Sequence, residues 1–177
     1  MAKFEQLRYN NVSVMKMKSR KKTNAARILD TLGIPYEIRE YEVDEEDLSA
    51  VHVAQSVGLP IEMVFKTLVA RGDRSGILMA VIPGGAELDL KALAAASGNK
   101  RVEMVHLREV FALTGSVRGG CSPLGAKKEY PVYLDRHAEV QKTIAISAGR
   151  RGEQLILAPS ELVRATKAEV TDIVRQP

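Results

Sequence analysis

The chain has 177 residues, of which 45% are hydrophobic and 27% are charged, and it contains one cysteine. This length suits one domain with a substantial core and is too short for two domains of ordinary size. A lone cysteine excludes an internal disulfide and a cysteine-based zinc site, and no apolar run reaches the ~18 residues of a membrane helix, so we expect a cytoplasmic protein without a membrane partner.

The net charge of +4 is distributed unevenly along the chain. The first 22 residues carry seven basic residues and only Glu5 as an acid, a net charge of +6, whereas the rest has a net charge of −2. We therefore divide the chain into a basic, flexible N-terminal extension, residues 1–22, and a folded domain, residues 23–177. The extension either steers toward RNA phosphates or is simply a solvated terminus.

Helices are predicted where a capping residue precedes an apolar pattern with helical spacing. The first runs from the cap Thr23 to Gly33, and the second from the cap Ser49 to Gly58, after an acidic loop at 42–47. A helical turn at 61–64, helices at 88–97 and 106–114, and a last helix capped by Ser160 with a frayed end after Thr166 complete the set.

Strands are predicted where apolar residues alternate or form short runs. Residues 34–41 place Tyr36 and Ile38 on one buried face, and the runs at 65–70 and 77–82 form a hairpin. Further strands are expected at 101–105, 131–134, 143–147 and 154–157. Because strands and helices mix without regular βαβ alternation, we expect an α+β single domain with a mixed, barrel-like β-sheet flanked by helices.

Lys66 is out of place in its predicted strand. Phe65, Thr67 and Val69 alternate with Lys66, Leu68 and Ala70, so both faces of this strand are largely apolar. A buried ammonium is costly unless it is paired or reaches a cavity. The strand alone leaves two interpretations open, in which Lys66 either extends to solvent from a strand end or lines a polar pocket.

The loop at 119–125, GGCSPLG, packs three glycines and a proline between two regular regions. The pair Gly119 and Gly120 lets peptide N–H groups approach another group closely, because glycine has no Cβ. Pro123 restricts its own φ and the conformation of Ser122. Such preset amides suit an oxyanion, although the same composition is typical of an ordinary tight turn.

Other common catalytic patterns are missing from the sequence. His52, His106 and His137 are far apart and form no metal-binding spacing. Ser122 lies outside a Gly-x-Ser-x-Gly motif, and Gly84 and Gly85 lack the spacing of a dinucleotide or P-loop motif. We predict neither a metal site nor a cofactor.

Five separated motifs, in this order, resemble the YbaK/EbsC family of aminoacyl-tRNA deacylases, relatives of the editing domain of bacterial prolyl-tRNA synthetases. They are FKTL at 65–68, LDLK with KRVEM at 88–104, the glycine loop, GAKK at 125–128 and ISAGRRG at 146–152. The resemblance covers the chain from Thr23 onward. It implies the fold of the synthetase-associated domain and cleavage in trans of the ester of Cys-tRNA(Pro), beside prolyl-tRNA synthetase and with help from the substrate thiol.

The resemblance also implies roles for individual residues. Lys66 matches a lysine that the family requires, and Gly119 and Gly120 match the positions that offer amides to the substrate carbonyl. Tyr41 matches an aromatic residue near the site. We extend the substrate-binding prediction to the rest of the glycine loop, namely Ser122, Pro123 and Gly125.

The predicted partner is the 3′ end of a mischarged tRNA. The sequence leaves open whether the amino acid is cysteine or another residue such as alanine, because small differences in a pocket decide which side chain fits. It also leaves open a non-catalytic module that binds a tRNA end or a synthetase, and it says nothing of the oligomeric state.

Overall fold

The computed structural model describes residues 20–177. Within this range the helices are α1 (Asn24–Thr31), α2 (Ala50–Val57), α3 (Leu90–Ser97), α4 (Leu107–Thr114) and α5 (Pro159–Thr166). A 3-10 turn spans Ile61–Met63. Two of the three predicted caps are confirmed, because Thr23 accepts a hydrogen bond from the Ala26 amide and Ser49 accepts one from the His52 amide.

The strands form two sheets. The three-stranded sheet has the order β1 (Glu37–Glu40), β7 (Glu153–Leu157), β6 (Ile144–Ser147). The five-stranded sheet has the order β4 (Val102–Met104), β2 (Phe65–Gly72), β3 (Gly76–Pro83), β5 (Val132–Asp135), β8 (Glu169–Thr171). The β3–β5 and β5–β8 pairs are parallel and the others are antiparallel. The predicted mixed α+β fold is confirmed, with two open sheets in place of one barrel-like sheet.

The central hairpin is buried on both faces, which explains its continuous apolar sequence. In β3, Met79 and Val81 face the main core, which the three-stranded sheet, α1 and α5 complete. Leu78 and Ala80 face the other way, into a second core closed by Leu93 and its neighbours in α3. The hairpin is therefore the rigid frame from which β2 presents Lys66.

Three details of the sequence-based prediction are wrong. Ile38 is 38% exposed, because β1 is a short edge strand. The last helix begins earlier than predicted, with Ala158 at the cap position and Pro159 as its first residue, so Ser160 is not the cap. The chain after Thr166 does not fray, since β8 pairs with β5 and Ile173 is fully buried.

The predicted N-terminal extension lies outside the described residues except for residues 20–22. Lys22 forms an ion pair with Asp30 of α1, with Nζ and Oδ2 2.6 Å apart. No helix within residues 20–177 is both long enough and apolar enough to cross a membrane.

Candidate active site

A cavity of about 400 Å³ lies between α2, the first half of β2, the start of α4 and the loop around Gly119. It brings together Lys66 and Gly119, two of the three residues predicted to be catalytic. Apolar side chains form most of the remaining wall, including Val53, Phe65 and Val110. The cavity is concave, largely apolar and equipped with a few polar groups, as small-molecule sites usually are.

The ammonium group of Lys66 is half-buried, and no carboxylate of residues 20–177 lies within ion-pair distance of it. Burial lowers the pKa of Lys66 below its ordinary value, and the more distant charge of Glu87 offsets this only in part. Lys66 therefore lines the pocket, and its charge is available to a bound group.

The two glycines of the loop have different structural roles. Gly119 has a φ of +81° and is the third residue of a tight turn that is closed by a 2.9 Å hydrogen bond from the Gly120 amide to the Val117 carbonyl oxygen. The Gly120 amide is thus already used within the loop. The Gly119 amide has no acceptor among residues 20–177, so it is the member of the pair whose N–H group is not already used by the fold.

Gly120 is instead required by close packing. A Cβ built on Gly120 would lie 3.1 Å from the Arg151 amide nitrogen and 3.2 Å from the Arg150 carbonyl carbon. The glycine loop therefore rests directly on the turn between β6 and β7. Arg151 reinforces this contact, since its Nε donates a 2.7 Å hydrogen bond to the Arg118 carbonyl oxygen.

The residues predicted to bind substrate do not line this cavity. Ser122 is 4% exposed, and its hydroxyl accepts a hydrogen bond from the Leu124 amide. Pro123 is buried beside it. Gly125 packs on the first turn of α1 and lines a different cavity. Tyr41 packs in a small apolar cluster with Val53, behind the cavity wall.

Sequence reasoning did not identify two polar side chains of the cavity, Thr67 and Gln154. Thr67 Oγ1 and Gln154 Oε1 are buried, and neither has a hydrogen-bond partner in the described part of the chain. An unpaired buried polar atom costs about 1–3 kcal/mol, so such atoms at a pocket wall are candidates for contact with a ligand. The available signal was a polar residue within an apolar strand, which also singled out Lys66.

Cys121 also lines the cavity. Burial raises the pKa of its thiol, which keeps the sulfur protonated at neutral pH. Among the described residues no histidine lines this cavity, so no imidazole is available there to deprotonate the thiol. Residues 20–177 also contain no group of three His, Cys, Asp or Glu side chains that could hold a metal ion.

Comparison with known proteins identifies the family of this chain. A family model described as an aminoacyl-tRNA editing domain matches residues 44–165. EbsC of Enterococcus faecalis, provisionally named a Cys-tRNA(Pro)/Cys-tRNA(Cys) deacylase, is 48% identical over 158 residues, which make up 89% of this chain and 96% of that protein. The proline–tRNA ligase of Thermosipho africanus is 33% identical over 107 residues, or 54% of this chain and 19% of the ligase.

A solved structure is similar to this chain over most of the length of the chain. It is provisionally described as a trans-editing enzyme for prolyl-tRNA synthetase, and it matches with a TM-score of 0.74 at 26% identity, covering 88% of this chain and 100% of that one. The chain therefore belongs to the aminoacyl-tRNA editing domain family, which confirms the predicted aminoacyl-tRNA deacylase.

Proposed function

We propose that this protein is a trans-editing deacylase that cleaves the ester between cysteine and the 3′ ribose of tRNA(Pro). One observation carries the proposal. One cavity is lined by Lys66, Gly119, Thr67 and Gln154. Within residues 20–177 the Lys66 ammonium has no ion-pair partner, the Gly119 amide has no acceptor, and the side-chain oxygens of Thr67 and Gln154 are unpaired. The name of the Enterococcus relative supports cysteine as the amino acid and tRNA(Pro) as one carrier.

The proposed chemistry needs positioning and charge stabilisation more than a protein nucleophile. The Gly119 amide and the Lys66 ammonium stabilise negative charge on the ester carbonyl oxygen. The thiol of the substrate cysteine attacks its own carbonyl carbon, which forms a carbon–sulfur bond and breaks the bond to the ribose oxygen. The thiol proton passes to that oxygen, so the products are free tRNA and a cyclic thioester of cysteine that water opens.

Thr67 and Gln154 would hold the aminoacyl group in the reactive position. The amide oxygen of Gln154 is an acceptor, and the hydroxyl of Thr67 can accept as well. The α-ammonium of an aminoacyl ester is a donor that matches both. Binding it there would satisfy two polar atoms that have no partner in the described part of the chain, so recognition and catalysis would use the same cavity.

Association with prolyl-tRNA synthetase is the finer part of the proposal. The chain matches 19% of the Thermosipho ligase, but 96% of EbsC and all of the solved structure that is provisionally described as a trans-editing enzyme. We therefore propose action in trans, beside prolyl-tRNA synthetase.

The test is deacylation of tRNA(Pro) charged in parallel with cysteine, alanine and proline. We expect rapid loss of cysteine, slow loss of the other two, and no cysteine loss above background with Lys66→Met. Cleavage of the alanyl ester at a higher rate would reassign the substrate to alanine. Binding of all three tRNAs without cleavage of any would contradict catalysis and favour a binding module.

A further inference from the structure

A second cavity, of about 490 Å³, lies on the other side of the loops that form the active site. It opens between the start of α1, the end of α4 and the β6–β7 turn. The two cavities share a wall, because Ser147 lines the first and the next residue, Ala148, lines the second. The Ser116 hydroxyl donates a 3.1 Å hydrogen bond to the Gly149 carbonyl oxygen and ties this wall together.

This second cavity is strongly basic. Its lining contains Lys21, Lys22, Arg27, Lys127 and Arg150, and within residues 20–177 it contains no acidic side chain. The charge of Lys22 is balanced by Asp30, and that of Arg150 is balanced by Glu153 at 2.6 Å.

Three cations of this cavity remain unbalanced. Lys21, Arg27 and Lys127 have no carboxylate partner within 4.0 Å in the described part of the chain. We call these three side chains the basic groove. A concave site with excess positive charge concentrates anions.

An exposed aromatic side chain connects the basic groove with the active site. Leu107 lines the active-site cavity, and Phe111 lies one helical turn further along the same side of α4. Phe111 is 57% exposed, and Lys127 Nζ stands 5.1 Å from the centre of its ring. A surface path thus runs from the active site over Phe111 to the basic groove.

We propose that this path binds the single-stranded 3′ end of the tRNA, with a base stacked on Phe111 and backbone phosphates in the basic groove. A positively charged groove beside an aromatic platform is how proteins bind single-stranded nucleic acid without reading its sequence. The inference rests on the proposed function, because it takes the aminoacyl ester to lie in the first cavity. Of the basic residues in the predicted N-terminal extension, Lys21 belongs to the basic groove.

Three sets of variants test this path. The first is the triple substitution Lys21→Gln, Arg27→Gln and Lys127→Gln. Its matched control removes three exposed cations from another part of the molecule, Lys91→Gln, Lys100→Gln and Arg101→Gln. Phe111→Leu removes the aromatic platform, and Phe111→Tyr retains it.

The first measurement is binding of an uncharged RNA oligonucleotide that ends in the CCA sequence of tRNA, which does not depend on deacylation. We expect the groove triple to bind at least about tenfold more weakly. The slope of the logarithm of the binding constant against the logarithm of the salt concentration should become less steep by about 2, since each contacted phosphate of a single strand contributes about 0.7 to that slope. Phe111→Leu should weaken binding at least about fivefold, and Phe111→Tyr should restore it.

The second measurement compares kcat/KM on Cys-tRNA(Pro) with kcat/KM on a cysteinyl ester of adenosine, which is too short to reach the groove. We expect the groove triple to lose activity on tRNA with no matching loss on the short ester. Failure of the wild type to cleave either substrate would contradict the proposed function. The oligonucleotide measurement would still show whether the basic groove and Phe111 bind RNA.

Other results would overturn the path. Equal RNA binding by the groove triple and the control triple would show that the basic groove does not hold RNA. Equal losses on both ester substrates would place these residues in the active site. Weaker binding of purified prolyl-tRNA synthetase with unchanged RNA binding would identify the surface as a protein contact.

Discussion

The backbone of Gly120 lies against the backbone of Arg151, so closely that a Cβ on Gly120 would stand 3.1 Å from the Arg151 amide nitrogen. Gly120→Val should push the loop away from the β6–β7 turn and displace the Gly119 amide with it. Overpacking of this kind costs about 1–3 kcal/mol of stability. Loss of an oxyanion donor costs about 10²- to 10³-fold in rate, and single-turnover deacylation would measure it.

Ser122→Ala is the control for the loop. The Ser122 hydroxyl only accepts a hydrogen bond from the Leu124 amide, so its loss should cost about 1 kcal/mol of stability and little activity. An inactive Ser122→Ala beside an active Gly120→Val would reverse the assignment of roles in this loop.

The sequence predicted that backbone approaches something closely at Gly119 and Gly120, but not what it approaches. Absence of a Cβ is visible in a sequence, whereas the partner of Gly120, the Arg150–Arg151 backbone, becomes its neighbour only through the tertiary fold. A charge in an apolar strand has few acceptable environments, so the sequence singled out Lys66 but left two interpretations open, and the family resemblance favoured the pocket. Gln154 was not identified, because an uncharged polar residue in a strand is a weaker signal.

The same limit explains the errors in the fold. Strand β8 has three residues, two of them polar, and it is recruited by pairing with β5. Its own sequence has too little apolar pattern to predict a strand. Cap residues, by contrast, act on amides two or three positions away, so the starts of α1 and α2 followed from the sequence.

Lys66→Met should abolish deacylation without lowering the free energy of unfolding. The substitution keeps the length and apolar stem of the side chain and removes only the charge that the pocket holds for the substrate. Because the folded protein holds that charge half-buried and without an ion pair, its removal costs no native contact. Deacylation rates and thermal unfolding of the two proteins test this, and full activity at normal stability would contradict the assignment.

The pH dependence of stability gives a second test of Lys66. Burial lowers its pKa in the folded state below the unfolded value near 10.5, so the unfolded chain binds more protons between those two values. The wild type should therefore gain stability relative to Lys66→Met as the pH rises through this window. Below the window, the destabilisation that comes from burying the charged ammonium should be fully present. Denaturant unfolding at neutral pH and near pH 10.5 measures the difference, and a constant difference would show that Lys66 is not desolvated.

Thr67→Val should raise the free energy of unfolding while it weakens substrate binding. The two side chains have nearly the same shape, and Thr67 Oγ1 is buried without a partner in the described part of the chain. Removing an unsatisfied polar atom relieves up to about 1–3 kcal/mol. Gln154→Leu should also raise the free energy of unfolding and weaken substrate binding, because Gln154 Oε1 is likewise buried without a partner in the described residues.

A rise in KM with a stable fold would assign Thr67 and Gln154 to the substrate. Loss of stability in both variants, with unchanged KM, would show that they serve the fold instead. Thr114→Val is the comparison variant, because the Thr114 hydroxyl donates a 2.8 Å hydrogen bond to the Val110 carbonyl oxygen. That variant loses a satisfied hydrogen bond and should be destabilised.

Cys121 lines the active-site cavity, yet we expect Cys121→Ala to cleave Cys-tRNA(Pro) at nearly the wild-type rate. Burial raises the pKa of this thiol, and a protonated thiol is a poor nucleophile. Its sulfur lies 3.7 Å from the Val117 carbonyl oxygen, a packing contact within the loop.

If the attacking sulfur belongs to the substrate, the wild-type enzyme should fail on a tRNA whose cysteine is S-methylated. Single-turnover deacylation rates test both expectations, and mass spectrometry of the quenched reactions detects any covalent enzyme intermediate. A cysteinyl group on Cys121, or an inactive but folded Cys121→Ala, would show that the thiol of the protein is the nucleophile.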